Sequence, residues 1–180
     1  SLDPRLKLKK PEAVPAMKRI AILCYHSCPT ADLGSRDAGG MSVYVRNLAI
    51  ELANFGVETD IFSRRHDPLE PGVIEISPGV RLIHLDAGPT QLPRKQLPQY
   101  LPDFYSNLQK YVHKEKRCYD LIHSHYWLSG RVGKVLSQTW KAPHVVTFHT
   151  LAEIKRMVHP NNGDPIERAK RERAIASTAD

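Results

Sequence analysis

Three histidines follow apolar runs that read as buried strands. His26 comes after residues 20–24, His125 just past the run at 119–123, and His149 after 145–148. Strands of an open α/β sheet end along one rim, where ligands bind, so these imidazoles are expected to converge there. Taken singly, each is an ordinary hydrogen-bonded histidine. His123 and His125 stand two apart, hence on one side of a continuing strand. That spacing suits a metal in a hydrolase, but such sites add a carboxylate, and the sequence offers no obvious one at a strand end. Cys24 and Cys28 flank His26 while Cys118 stands apart. A structural zinc takes four ligands, so no metal site is expected. The chain has no Asp-x-Asp, which argues against a metal-bridged diphosphate.

The second candidate is Gly39-Gly40, which opens a segment with Met41, Tyr44, Val45, Leu48, Leu52 and Phe55 at helical spacing. The apolar run at residues 20–24 has the pattern of a strand covered on both faces. Strand, glycine pair and helix in that order put backbone N–H groups at the positive end of a helix dipole. An anion can approach closely because no Cβ intervenes. Alone, the pair would be a turn feeding a helix; its place after the first strand favours a ligand.

The remaining elements must position these groups. Strands are predicted at residues 57–63, 73–76, 80–85, 119–123 and 145–148. Helices are predicted from Tyr100 to Tyr111, from Leu128 to Leu136 and over 165–177, with a proline-rich loop at 87–98 and a polar loop at 149–163. The alternation implies an α/β, Rossmann-like, doubly wound and mostly parallel sheet. Residues 1–18 read as a basic flexible lead-in and 19–180 as the domain. The ending, without a closing strand, implies a second domain that is absent from this chain.

At 180 residues with 41% hydrophobic and 25% charged residues, the chain is an ordinary globular domain. No apolar run has the length of a membrane span, so membrane contact is expected to be peripheral at most. Three cysteines without a secretion signal suit a cytoplasmic setting. A net charge of +7 calls for an anionic partner. No basic stripe interleaved with aromatics appears, so a phosphorylated small molecule is favoured over nucleic acid. For Lys170 and Arg173 a solvated face is the better reading.

Four ordered blocks then become specific: AGGMSVYVRNLAIELANFGVETDIFSRR, YDLIHSHYWLSG, APHVVTFHTLAEIKR and ERAKRERAIASTAD. From about Arg19 to Asp180 the chain resembles the N-terminal half of a GT-B retaining glycosyltransferase of family four. Within it, the chain is similar to the branch of sucrose-phosphate synthases and mycothiol-pathway glycosyltransferases. The resemblance implies that Gly39 and Gly40 face the diphosphate of a nucleotide-sugar donor such as UDP-glucose, UDP-N-acetylglucosamine or GDP-mannose. It gives His149 the catalytic position beside the donor sugar. It places Tyr126, Thr150, Arg94 or Lys95, Lys155, and Arg168 or Arg171 around a phosphorylated acceptor; His26 and His125 stay rim candidates from the strand-end reading alone. Ser42 stands where the mycothiol-type enzymes have Asn, which leaves the acceptor's identity open. No cofactor and no essential metal are implied, and the isolated half is expected to show little turnover. Two other readings remain at this point. Arg64-Arg65 after the second strand suits the 2′-phosphate of an NADP-type oxidoreductase, although Gly-x-Gly-x-x-Gly is lacking. The high pI alone suggests a basic anion- or nucleic-acid-binding module.

Overall fold

The computed structural model describes residues 16–30, 40–152, 154, 157 and 166–179. The expectations for Gly39, Lys155 and the lead-in up to residue 15 lie outside the described residues.

Six strands form one sheet: β1 (Arg19–Leu23), β2 (Glu58–Arg64), β3 (Val73–Ser77), β4 (Val80–Leu85), β5 (Leu121–His125) and β6 (His144–Thr147). Their order is β3-β4-β2-β1-β5-β6. All neighbours are parallel except β3 and β4, which pair antiparallel. The tight connection between those two runs through Pro78 and Gly79, the latter at φ +81°, a region glycine enters without strain. The chain moves from β1 to β2 on one side and returns to β5 on the other. The crevice at this reversal, between the carboxyl ends of β1 and β5, is where such sheets hold ligands.

The strand alternation builds two cores. Ala21 and Leu23 pack with Phe104 and Leu108 of α2 (Leu101–Lys114) and with Leu128, Val132 and Leu136 of α3 (Tyr126–Trp140). Ile20, Ile22 and Cys24 face the other way, onto Val45 and Ala49 of α1 (Gly40–Asn54). α3 lies against β5 and β6 so closely that a Cβ at Gly133 would strike the side chains of Ser124 and His144, themselves hydrogen-bonded at 2.8 Å. The last described helix is α4 (Ile166–Ala176).

Several boundaries differ from the sequence expectation. The strand expected at 119–123 runs from Leu121 to His125, so both histidines lie within it. Tyr119 is buried for another reason: it stacks on Trp140 and donates its hydroxyl to Asp60 at 2.7 Å. The proline-rich loop gives way at Arg94 to a 3₁₀ turn, Arg94–Tyr100, that leads into α2. Phe55, expected on the apolar face of α1, is 84% exposed because the helix stops at Asn54.

The amino end of the sheet is closed by ion pairs. Asp60, buried in β2, accepts from Arg81 Nε and Nη2 at 2.8 and 2.9 Å as well as from Tyr119. Glu58 pairs with Arg19 and Arg117. Asp120 accepts the backbone N–H groups of Lys18 and Arg19. Every charge here has a partner, as buried charge requires.

Candidate active site at the carboxyl rim of the sheet

The strand-end histidines do converge. His125 Nδ1 and His149 Nε2 lie 3.0 Å apart, and the His123 and His125 rings are 4.2 Å apart. Tyr44, on the first turns of α1, sets its ring edge-on to both His125 and His149 at 5.8 and 5.5 Å. The sequence reading placed Tyr44 on the apolar face of α1; instead it is half exposed and faces the rim. His26 meets the ring of Tyr126 at 4.6 Å.

These imidazoles are held neutral. Burial, followed by the Arg94 guanidinium, pushes His26 down to about 3. Burial and His149 bring His123 to about 4. Burial, then His123 and His149, drives His125 further down, and burial also lowers His149. His125 Nε2 and His26 Nδ1 are buried without a hydrogen-bond partner among the described residues. Such a group costs free energy unless something else satisfies it.

Backbone geometry marks the same place. Lys116 and Lys141 have positive φ just past helix ends, an ordinary way to stop a helix. Tyr126 (φ +71°) and His149 (φ +59°) have it at the carboxyl ends of the neighbouring strands β5 and β6. Strain of this kind in a bulky residue persists where surrounding structure enforces it. The enforcing contacts come from α4. Arg168 stacks on Tyr126 at 4.6 Å and donates to the Thr150 carbonyl at 2.8 Å. Glu172 accepts from Arg168 Nε at 2.7 Å and from the Ala152 amide at 2.8 Å. This buried i,i+4 pair clamps the segment that follows His149.

From His26 opens a cleft of about 630 Å³ lined also by Arg64, His66, Thr90, Leu92 and Arg94. Arg64 Nη1 and Nη2 hold the cleft's outer wall, donating to the carbonyls of Pro89 and Thr90 at 2.9 and 3.1 Å. Arg65 is paired with Asp86 at 2.8 Å. The 2′-phosphate reading of Arg64-Arg65 is thereby corrected, since both side chains are committed to the protein.

Gly40 begins α1, whose first turn carries no acidic residue. Among the described residues, a Cβ there would meet no atom within 4 Å outside its own helix turn, so their packing does not require glycine. Ser42 is buried, its hydroxyl bonded to Ser27 in the loop after β1. Arg94 lines the cleft, whereas Lys95 is exposed on the same turn and does not. Thr150 is exposed at the rim and Arg168 braces it. Arg171 lies elsewhere: it pairs with Glu167 and lines a second, mainly apolar cleft of about 450 Å³ with Pro98, Leu101, Arg131 and Val135. Three residues along α4 from Arg168, its side chain has turned toward α2 and α3, away from the cleft that Arg94 lines. His66, Thr90, Tyr44 and Glu172 were missed. Only Glu172 had a signal, its i,i+4 spacing from Arg168.

Residues 39–180 match the family described as Glycosyl transferase 4-like domain, and the chain belongs to that family. The D-inositol 3-phosphate glycosyltransferase of Corynebacterium jeikeium is 41% identical over 165 residues, covering 90% of this chain and 39% of that protein. The protein of that name from Kineococcus radiotolerans is 40% identical over 172 residues, covering 92% and 39%. Among solved structures, sucrose-phosphate synthase from Thermosynechococcus elongatus superposes with a TM-score of 0.83 at 40% identity, covering 91% of this chain and 41% of that one. The chain thus spans about two fifths of the length of the curated relatives it matches.

Proposed function

We propose that this chain is the acceptor-side half of a retaining glycosyltransferase that moves a sugar from a nucleotide-sugar to a phosphorylated polyol or sugar. One observation carries the reading: the cleft bearing Arg94 opens at the carboxyl ends of β1, β2 and β4 and is lined by His26, whose ring meets Tyr126, the residue next to the His125 that bonds His149. The relatives support it, being named for inositol 3-phosphate glycosyl transfer and sucrose phosphate synthesis.

In this reading the acceptor's phosphate sits against Arg94, a planar donor suited to bidentate phosphate contact. Its hydroxyl points toward His149. The first turn of α1 at Gly40 offers amides and a positive dipole end to the donor's diphosphate, where negative charge grows as the bond to the sugar breaks. Among the described residues His149 bonds His125, and no carboxylate contacts it that could form a covalent intermediate. The acceptor oxygen therefore attacks on the face the diphosphate leaves, within one ion-pair-like complex. His149, neutral at working pH, orients the sugar, and Glu172 with Arg168 fixes His149 through residues 150–152. The transfer needs no cofactor and no metal bridging the diphosphate. A further domain of the whole protein would hold most of the nucleotide, in the cytoplasm.

The test is calorimetric titration of this chain with inositol 1-phosphate, fructose 6-phosphate and their unphosphorylated parents. Heat from a phosphate ester, with none from its parent at the same concentration, is expected. Equal binding of ester and parent, or none of either, contradicts the proposal.

A further inference from the structure

Behind the rim, Cys28, Glu70 and His84 bring a thiol, a carboxylate and an imidazole within 4.8 Å of one another. Cys28 lies in the loop after β1, His84 near the end of β4, and Glu70 between β2 and β3. Cys28 Sγ is 3.4 Å from His84 Nε2, and Glu70 Oε1 approaches the same nitrogen at 3.9 Å. The cysteine and the histidine are buried, and Glu70 is half-buried.

The outer contacts fix each of these atoms. His84 Nδ1 lies 2.8 Å from the Pro71 carbonyl, which can only accept, so Nδ1 carries the hydrogen. In the neutral ring Nε2 therefore presents its lone pair to the cluster. An imidazole that donates its other N–H to a backbone carbonyl is the usual arrangement of a metal-ligating histidine. Glu70 Oε2 accepts the amides of His66 and Asp67 at 2.8 and 3.2 Å, leaving Oε1 turned inward. Thr30 Oγ1 sits 3.2 Å from Cys28 Sγ. Zn–S near 2.3 Å and Zn–N near 2.0 Å at a tetrahedral centre set S···N at about 3.5 Å, close to the 3.4 Å found here.

We infer that Cys28, His84 and Glu70 form a zinc site, with three protein ligands and a fourth position for water. Sequence spacing could not show it, because the ligands come from two connections and a strand that meet only once β1, β2 and β4 are paired. The ion would tie the loop that carries His26 to the one that carries His66, so it would brace two walls of the cleft without touching a substrate.

Cobalt(II) replaces zinc and reports thiolate ligation by a sulfur-to-metal charge-transfer band. Titration of the reduced, chelator-treated chain is expected to give that band, saturating at one equivalent and displaced by zinc. It should be absent in Cys28→Ser and retained in Cys24→Ser and Cys118→Ser. Glu70→Gln, at a half-buried position, is expected to keep the fold by circular dichroism. It should weaken zinc by about tenfold or more, as even outer-shell changes do, in competition with a chromophoric chelator. No charge-transfer band in the wild-type chain, a band that survives Cys28→Ser, or unchanged zinc affinity in Glu70→Gln would overturn the inference.

Discussion

The two ends of the one sheet are built on opposite terms. At the amino end, Asp60, Glu58 and Asp120 are each satisfied by arginines, a tyrosine hydroxyl or backbone amides. At the carboxyl end, buried ring nitrogens of His26 and His125 lack partners among the described residues, and two bulky residues hold positive φ. The same strands supply both ends, so composition does not explain the difference. One end is closed to stabilise the fold, and the other keeps polar atoms unsatisfied where a ligand can satisfy them.

The largest effect expected from breaking this contrast is at the closed end. Asp60→Ala leaves Tyr119 without its acceptor and Arg81 without its main partner. Because Arg81 can still reach water, the loss should be at the lower end for a broken buried pair, about 3 kcal/mol by urea denaturation. Binding at the rim should survive in whatever fraction stays folded. A stability unchanged within error would mean that the amino end is not the fastening described here.

The open end should show itself through pH. His26, His123 and His125 have folded values below the ordinary 6.5. Between about pH 6.5 and about pH 4 the unfolded chain therefore binds protons that the folded chain refuses. Their contribution is complete above about pH 6.5 and shrinks as the pH falls, by up to about 1.4 kcal/mol per pH unit for each histidine. Urea midpoints across this range should drop, and His125→Gln should drop less steeply. A flat profile in the wild-type chain would remove the claim that these rings are held neutral.

The smallest effect sharpens the contrast at Gly40. Among the described residues alanine there meets no neighbour, so Gly40→Ala should be neutral or stabilising by no more than about 1 kcal/mol. A thermal melt displaced strongly downward would show that glycine serves the fold after all.

How far these ends could be read from the sequence depends on how locally each is encoded. The order of elements was legible because buried parallel strands are continuous apolar runs. Even so, β5 was misplaced by two residues, since Tyr119 is buried by stacking and hydrogen bonding outside the strand while His123 and His125 are polar within it. The meeting of His125 with His149, and of His26 with Tyr126 beside them, followed from parallel strands ending on one rim. The helical segment at 94–100 was hidden by its prolines. Arg64, His66 and Thr90 gather only through the register of β2 with β4 and the loops beyond, which no spacing reveals. Arg168 and Arg171 part because three residues along a helix turn one onto Tyr126 and the other into the apolar cleft, which the sequence block did not separate.

The most direct measurement compares those two arginines. The phosphate ester that binds the wild-type chain should be titrated into Arg94→Ala and Arg171→Ala under identical conditions. Loss of a charged hydrogen-bonding partner should weaken Arg94→Ala by about tenfold or more, with Arg171→Ala unchanged. Equal weakening in both, or a loss confined to Arg171→Ala, would place the phosphate away from the carboxyl rim and contradict the site described here.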